Sequence, residues 1–535
     1  MALAVDKEEY LGELRGRRKI YTDVDVITED NVIQVLTDAM LLHEQNRQAI
    51  QYLLNFEKGV QPLVREKVVR TEIDIVSISN LANEISEFNL GYFWGNPIAI
   101  VQKSDKNPKG SMPKVDNQAI SMLNEMYDSE YKDSKDQQLA RYIEICGIGY
   151  QMVDIKRDYE DGGSAFDLLT LNPLFTFVVY SSDSYESPLL GVTYTAKDNG
   201  EKLFTCIAKD RVYIIQNQNK IVNGKKKVKN GYEFGERNGE WNPLGEVYII
   251  EYERSFDRTG CFERQISELN ALNVLESDFI NDVAQTTQAN WWGNDIEFPV
   301  DPVTKEVKRL EGGQWIFTHT GGGGQKPDIK ALILDYNYDG ILNNINSKHD
   351  RILERAFVPK QSEPGGGSTA NAMSISSGWN AAEAVASKKS LVVKRSFQQR
   401  NRLALKAISK SPSVEPDSPL LDLKATDIEI RFIRQKTFDM ATKVNSLATM
   451  INNFVHPRVA METIDLFSNL AEAVNDSVDN MIKYQELKLE SLEKPEPTEK
   501  EEPEAPSDNV EAISSAETRM MADLSDQSTN SPLIG

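Results

Sequence analysis

The sequence predicts an α+β chain, and three observations carry that prediction. Between residues 147 and 253 apolar positions recur with a period close to two: FTFVVY at 175–180, LGVTYTA at 190–196, RVYIIQ at 211–216 and EVYIIEY at 246–252 read as strands. Asn-Gly pairs beginning at Asn223, Asn230 and Asn238 mark tight turns among them. On both sides of this block the spacing changes to three and four, the signature of amphipathic helices. Strands grouped in one stretch, with helices before and after, make α+β rather than an alternating parallel fold.

The elements follow in order. Residues 1–27 are mixed and charged and read as a loosely held arm. A helix capped at Thr28 runs through Val32, Val35, Leu36, Met40 and Leu41. A second helical stretch, 73–90, leads into the aromatic turn GYFWGNPI at 91–98, and KSDKNPKGSMPK at 103–114 is a turn-rich loop. Helical patterns cover 118–127 and 135–146, ahead of the strand block.

After the strands, residues 264–410 hold three helical patterns. The first places Ile266, Leu269, Leu272, Leu275, Phe279 and Val283 on one stripe of a rod roughly 30 Å long. The second carries Ile341, Leu342, Ile345, Ile352, Leu353 and Phe357 and stops at Pro359. Between them lies an aromatic, strand-like insert, 291–320, followed by the glycine run 321–324. The polar QSEPGGGSTANAMSISSG at 361–378 then separates the second rod from a third helix starting near Trp379. Two rods with a small knob at one end and a loop at the other suggest a spacer and a moving part, not a catalytic cleft. The Ser/Pro linker SKSPSVEPDSP at 409–419 leads to a short strand, IEIRFI at 428–433, and helical patterns return over 438–492. The Pro/Glu/Ser-rich residues 494–535 have the composition of a disordered tail.

The 535 residues leave room for three or four domains of ordinary size. No apolar run approaches the roughly 20 residues needed to cross a bilayer. MALAVDKEEYLGELRGRR has acidic residues where a signal peptide needs an apolar core, so export is not expected and no membrane partner is assigned. Three scattered cysteines, Cys146, Cys206 and Cys261, give neither a disulfide framework nor a metal site, and fit a reducing cytoplasm. Net charge is −22, to which the tail contributes ten acidic against three basic residues. A chain this acidic lacks the basic footprint of a DNA-gripping domain, which argues against a DNA-binding domain of the usual kind but not against a surface along which DNA slides.

No constellation of catalytic residues is legible. His43, His319, His349 and His456 have no His or Cys at metal-ligand spacing, GxxxxGK[ST], GxSxG and HExxH are absent, and the 321–324 glycines read as a turn. No catalytic residue, metal or cofactor is assigned. KKKVK at 225–229 reads as a solvated hairpin. Residues 388–410 hold eight Lys/Arg and no acid, with Lys388, Lys389, Lys394 and Arg395 as candidate contacts to DNA or to a neighbouring subunit. Two readings stand side by side: neutralisation of acidic neighbours, or contact with a polyanion. In the 361–378 loop, Gly365, Gly366, Gly367, Ser368, Thr369, Asn371, Ser374, Ser376 and Ser377 offer hydroxyls and backbone N–H groups that touch phosphate without strong charge pairing.

Six segments in order resemble one family. They are YLLNFEKGVQPLVREKVVR (52–70), GYFWGNPI, LARYIEICGIGYQMVDI (139–155), LNPLFTFVVY (171–180), EYERSFDRTGCFERQISELNALNVLESDF (251–279) and SISSGWNAAEA (374–384). Together they are similar to the portal, or head-to-tail connector, protein of tailed double-stranded-DNA bacteriophages, of the type found in long-tailed phages of Gram-positive bacteria. YLLNFEKG departs from the YYRG-like element often seen near the family's N-terminus, and the insert between the rods matches little.

The resemblance implies a ring, usually of twelve copies, around a DNA channel at one capsid vertex, in a virion assembled in the host cytoplasm. After the arm (1–27), which precedes the shared region, it implies a wing (28–260, completed by 379–433 with a long kinked helix), two stem helices (264–288 and 338–357) and a clip (289–337). It further implies a channel loop (361–378) and a crown (438–492); the acidic tail (494–535) lies outside the shared region. Its partners are packaged double-stranded DNA, the terminase large subunit, the major capsid and scaffold proteins and a head-tail adaptor. Two other readings remain at this stage: a metal-dependent nuclease, and a scaffolding protein without a channel.

Overall fold

The computed structural model describes residues 16–63, 65, 71, 73–103, 117–156, 163–197, 201–218, 231–235, 238–287, 290–295, 303, 315–319, 328–332, 337–360, 378–412, 414–434, 440–456, 459–461, 477, 480, 482–484 and 486–487. The KKKVK run, the 321–324 glycines and the 494–535 tail lie outside them, as does nearly all of the 103–114 loop.

The chain opens with β1 (Ile20–Thr22) and α1 (Val32–Glu57). The arm is not loose from Gly16 onward. Arg17 is buried in an ion pair with Glu263, which also accepts from the Gly16 N–H at 3.0 Å, and β1 pairs in parallel with a strand of the large sheet. The first helix begins at Val32 rather than Thr28. The cap residue is Asn31, whose side chain turns back to accept from Thr28 N–H (2.8 Å) and donate to the Val26 carbonyl (2.9 Å).

Next come α2 (Leu81–Trp94), β2 (Ala99–Gln102), α3 (Asn117–Ser129) and α4 (Lys132–Cys146). The expected helix over 73–90 is a correction: residues 73–80 are extended, and α2 starts only after Asn80. The physical cause lies about 200 residues away and is given below. Gly147 ends α4 at φ +79°, where a β-carbon would also collide with the Arg258 carbonyl.

The strand block supplies β3 (Ile148–Ile155), β4 (Phe166–Leu171), β5 (Thr176–Ser181), β6 (Pro188–Ala196), β7 (Lys202–Ala208), β8 (Arg211–Gln218), β9 (Gly231–Phe234), β10 (Glu240–Trp241) and β11 (Ile249–Glu253). They form two sheets. One has the order β1-β5-β6-β7-β8-β10, with β9 also on β8; the other has the order β11-β3-β4. The first half of α1 lays Val32, Val35, Leu36, Ala39 and Met40 on the large sheet, against residues such as Phe177, Val192 and Phe204. A second core joins α2, α4, β3 and β11 to a long later helix through Trp94, Ile143, Tyr252 and Phe397.

Then follow α5 (Ile266–Thr287), β12 (Asn290–Asn294), β13 (Trp315–Thr318), β14 (Asp328–Leu332), α6 (Tyr338–Arg355), α7 (Trp379–Lys410), β15 (Ile428–Arg431) and α8 (Met440–Asn452). The chain is packed again directly after the Ser/Pro stretch, where Leu420 and Leu423 enter the second core and β15 pairs antiparallel with β2.

The rods α5 and α6 lie antiparallel. Near the start of α5, Gln265 Nε2 donates to the Arg355 carbonyl (3.3 Å) and Glu268 pairs with Arg355. At the other end Thr286 Oγ1 meets the Tyr338 hydroxyl at 2.6 Å. The three-stranded sheet β13-β12-β14 is the chain that joins those far ends.

The extended residues 73–80 run along a different face of α5. Asn281 Oδ1 accepts from Ile75 N–H (2.9 Å) and its Nδ2 donates to Ile75 O (2.8 Å). Ser277 Oγ accepts from Ser77 N–H (3.0 Å) and donates to Ser77 O (3.1 Å), while Asn273 Oδ1 accepts from Ser79 N–H (3.2 Å). The match is one of pitch. Two strand residues advance about 6.6 Å and four helix residues about 6 Å, so side chains at i, i+4 and i+8 meet every second residue of an extended chain. Asn273, Ser277 and Asn281 are all buried, and this pairing satisfies them.

Candidate nucleic-acid interface

The two ends of the 361–377 stretch are described, and they meet. The first rod-to-loop step is an abrupt helix stop. Phe357 takes φ +59°, and the Phe357 and Val358 N–H groups return to the carbonyls of Glu354 (3.0 Å) and Leu353 (2.9 Å). Gly378 enters α7 at φ +87°, and a β-carbon built there lies 3.9 Å from the Pro359 Cα. The intervening residues therefore leave and return at one place, unlike a linker between separated domains. Gly365, Gly366, Gly367, Ser368, Thr369, Asn371, Ser374, Ser376 and Ser377 themselves lie outside the described residues.

The first turns of α7 fix this base. Trp379 sits against Phe88 and Tyr92, with ring centroids 6.0 and 5.5 Å away. The Tyr92 hydroxyl donates to Glu383 at 2.6 Å, and Arg434 pairs with the same carboxylate. Burial first, and then the Glu383 carboxylate, raise the Tyr92 phenol well above its ordinary range.

Along α7 the basic residues divide by face. Lys389 needs correcting as a surface contact: it is 5% exposed, donates to Glu144 at 2.6 Å, and lies 4.2 Å from the Phe93 ring centroid. The reason is position. Lys389, Ser396 and Arg400 form the inward stripe that packs α7 over β3, β11 and α4. Glu144 also accepts from Arg254 Nε (2.8 Å) and Trp94 Nε1 (2.8 Å). Burial alone would raise its carboxyl, but Lys389 and Arg254 hold it down at about 2. One carboxylate thus serves two cations, and burial lowers the Lys389 ammonium from its usual value. Arg400, 1% exposed, pairs with Asp136 at 2.5 Å.

The outward face differs. Arg395 reaches Glu253 at 3.3 Å while remaining largely exposed, and Arg402 and Lys406 share Glu246. Lys388 is exposed and Lys394 half-buried; neither has an ion-pair partner among the described residues. Of the four candidate contacts, Lys388 and Lys394 remain open to a partner, Arg395 is partly engaged, and Lys389 is withdrawn. Neutralisation of acidic neighbours within the same chain accounts for most of the helix's charge. Sequence reasoning missed those partners because Glu144, Asp136, Glu246 and Glu253 are each more than 140 residues away.

No other chemistry gathers here. Among the described residues no three His, Cys, Asp or Glu side chains are placed to hold a metal ion. His43 is buried, its Nε2 3.2 Å from the Leu174 carbonyl and its ring stacked on Phe177. Burial holds its pKa down at about 4. The three cysteines are free and buried, and burial pushes the Cys146 and Cys261 thiols up to about 12.

Residues 74–488 match the family of phage portal proteins of the SPP1 Gp6-like type. The chain belongs to this family. It is a portal protein of a tailed bacteriophage, a capsid component that serves DNA packaging, and the SPP1-like type is consistent with a Gram-positive host. The family is structural rather than enzymatic. A search of curated proteins found no match to the chain. The match begins after the 52–70 segment, so that part of the resemblance stands outside it. The family implies an oligomeric ring with capsid and terminase partners, placed at the portal vertex of the virion. Among the described residues no helix is long and apolar enough to cross a membrane.

Proposed function

We propose that twelve copies of this chain close into a ring at one capsid vertex, around a channel through which double-stranded DNA enters during packaging and leaves at ejection. The observation that carries this reading is the antiparallel α5/α6 pair. It has a small sheet at one end and, at the other, a chain excursion whose ends meet beside Pro359 and Gly378. In a chain whose family forms rings, this pair is a stave, and a heterologous contact repeated with closure yields the ring.

On this reading α5 and α6 form the stem (264–288 and 338–357), and residues 289–337 are the clip that docks the terminase large subunit and later a head-tail adaptor. Residues 28–260 with 379–433 form the wing, facing the major capsid and scaffold proteins, and 438–492 form the crown. The loop 361–378 projects into the channel. Its small neutral residues brush phosphates without the charge pairing that would stall a moving duplex. The net charge of −22 per copy keeps the channel wall from binding DNA tightly. Of the four candidate cations on α7, Lys388 and Lys394 are the two left free, among the described residues, to touch DNA or the next subunit.

Deleting 368–377 tests the loop's role. The expected result is intact rings with impaired packaging or retention of DNA; normal packaging by the deletion would remove the loop from the mechanism.

A further inference from the structure

The extended residues 73–80 leave one edge of their backbone unused. Ile75, Ser77 and Ser79 turn their N–H groups to Asn281, Ser277 and Asn273 of α5. In an extended chain, alternate residues point the opposite way, so the N–H and C=O groups of Asp74, Val76 and Ile78 face away from α5. Those backbone groups make no hydrogen bond among the described residues. The edge is open and apolar: Ile75 is 45% and Val76 55% exposed. A free extended edge with exposed apolar side chains is a template for strand addition.

A segment of this same chain leaves the described structure within reach. Residues 1–15 precede Gly16, which is fixed to Glu263, next to the first turn of α5. The ladder runs along that helix as far as Asn281, about 22 Å from Ile266. Fifteen extended residues span on the order of 50 Å. Their sequence suits the edge, since Ala2, Leu3, Ala4 and Val5 form an apolar stretch with no charge, followed by the charged residues Asp6 to Glu9. We infer that residues 2–5 of each copy add as a strand to the free edge at 74–78 of the same copy, clamping α5 from its own N-terminus. Leu3 and Val5, on one face of that strand, would cover Val76, while Ala4 lies on the face of Ile75. Arg65, which pairs with both Asp74 and Asp278, already holds the end of the segment nearest Asn281 to α5.

Amide hydrogen exchange on the full chain tests the inference, with Ala4→Pro/Val5→Pro as the variant. That pair removes an N–H in either register and leaves every described residue untouched. The amides of Asp74, Val76 and Ile78 should exchange at least about tenfold more slowly in the parent than in the proline variant. Equal rates, fast or slow, would overturn the inference; equally slow exchange would mean that something other than the arm covers the edge. A short bis-maleimide across Leu3→Cys/Val76→Cys then separates the sources, because the native cysteines are buried. An intrachain link is expected. A ladder of linked copies would assign the edge to a neighbour's arm, and no link would leave the arm elsewhere; either result contradicts the inference.

Discussion

The two long helices α5 and α7 both bury polar faces, yet they do so with different chemistry. α5 presents Asn273, Ser277 and Asn281 to an extended backbone. α7 presents Lys389 and Arg400 to Glu144 and Asp136. Neutral side chains bonded to backbone fix register at modest energy, about 1 kcal/mol per bond. Fully buried ion pairs add little net stability when complete, but leave an uncompensated charge when broken, at about 3–5 kcal/mol. α7 is therefore held in one geometry as the rigid beam under the loop base. α5 is held by a ladder that is weaker rung by rung and insensitive to pH.

The comparison breaks first at Glu144. Replacing Lys389 by Met removes one of its two cations and should destabilise the chain by about 3–5 kcal/mol in denaturant unfolding. A change below about 1 kcal/mol would mean that Arg254 alone suffices for the carboxylate. The next effect is the pH profile. The Glu144 carboxyl is depressed from 4.5 to about 2, so its stabilisation is full above pH 4.5 and is lost as pH falls towards 2. His43, lowered from 6.5 to about 4, likewise stabilises fully above pH 6.5 and less as pH falls through 4. His43→Phe should flatten the stability curve between those two values, and an unchanged slope there would exclude His43 as its source. Smaller again, Ser277→Ala should cost about 1 kcal/mol at every pH. The smallest effect on folding is expected at Lys388→Gln, within about 0.5 kcal/mol, because that side chain is exposed and outside the buried stripe. If Lys388 touches DNA or a neighbouring copy, the same change should alter packaging or ring yield while stability stays constant.

Legibility followed the range of the interactions. The rods, the strand block and the start of α7 at Trp379 were readable because apolar period and Pro359 are local signals. Residues 73–80 were not. Ile75, Ile78 and Leu81 stand three apart, as on a helix, and Asn273, Ser277 and Asn281, which draw residues 75–79 out, look in sequence like solvent-facing positions. The eight cations of 388–410 were visible, but which of them turn inward depends on carboxylates brought from distant segments. Arg17 teaches the same lesson: only its contact with Glu263 shows that the arm is anchored from Gly16 onward.

The central claim is the ring, and its most direct test is native mass spectrometry with negative-stain imaging. Both should be applied to the protein alone and to particles assembled with its capsid and scaffold proteins. The account predicts closed rings of about twelve subunits with a central hole, one per particle. Monomers or dimers in both preparations, or rings without a hole, would contradict it.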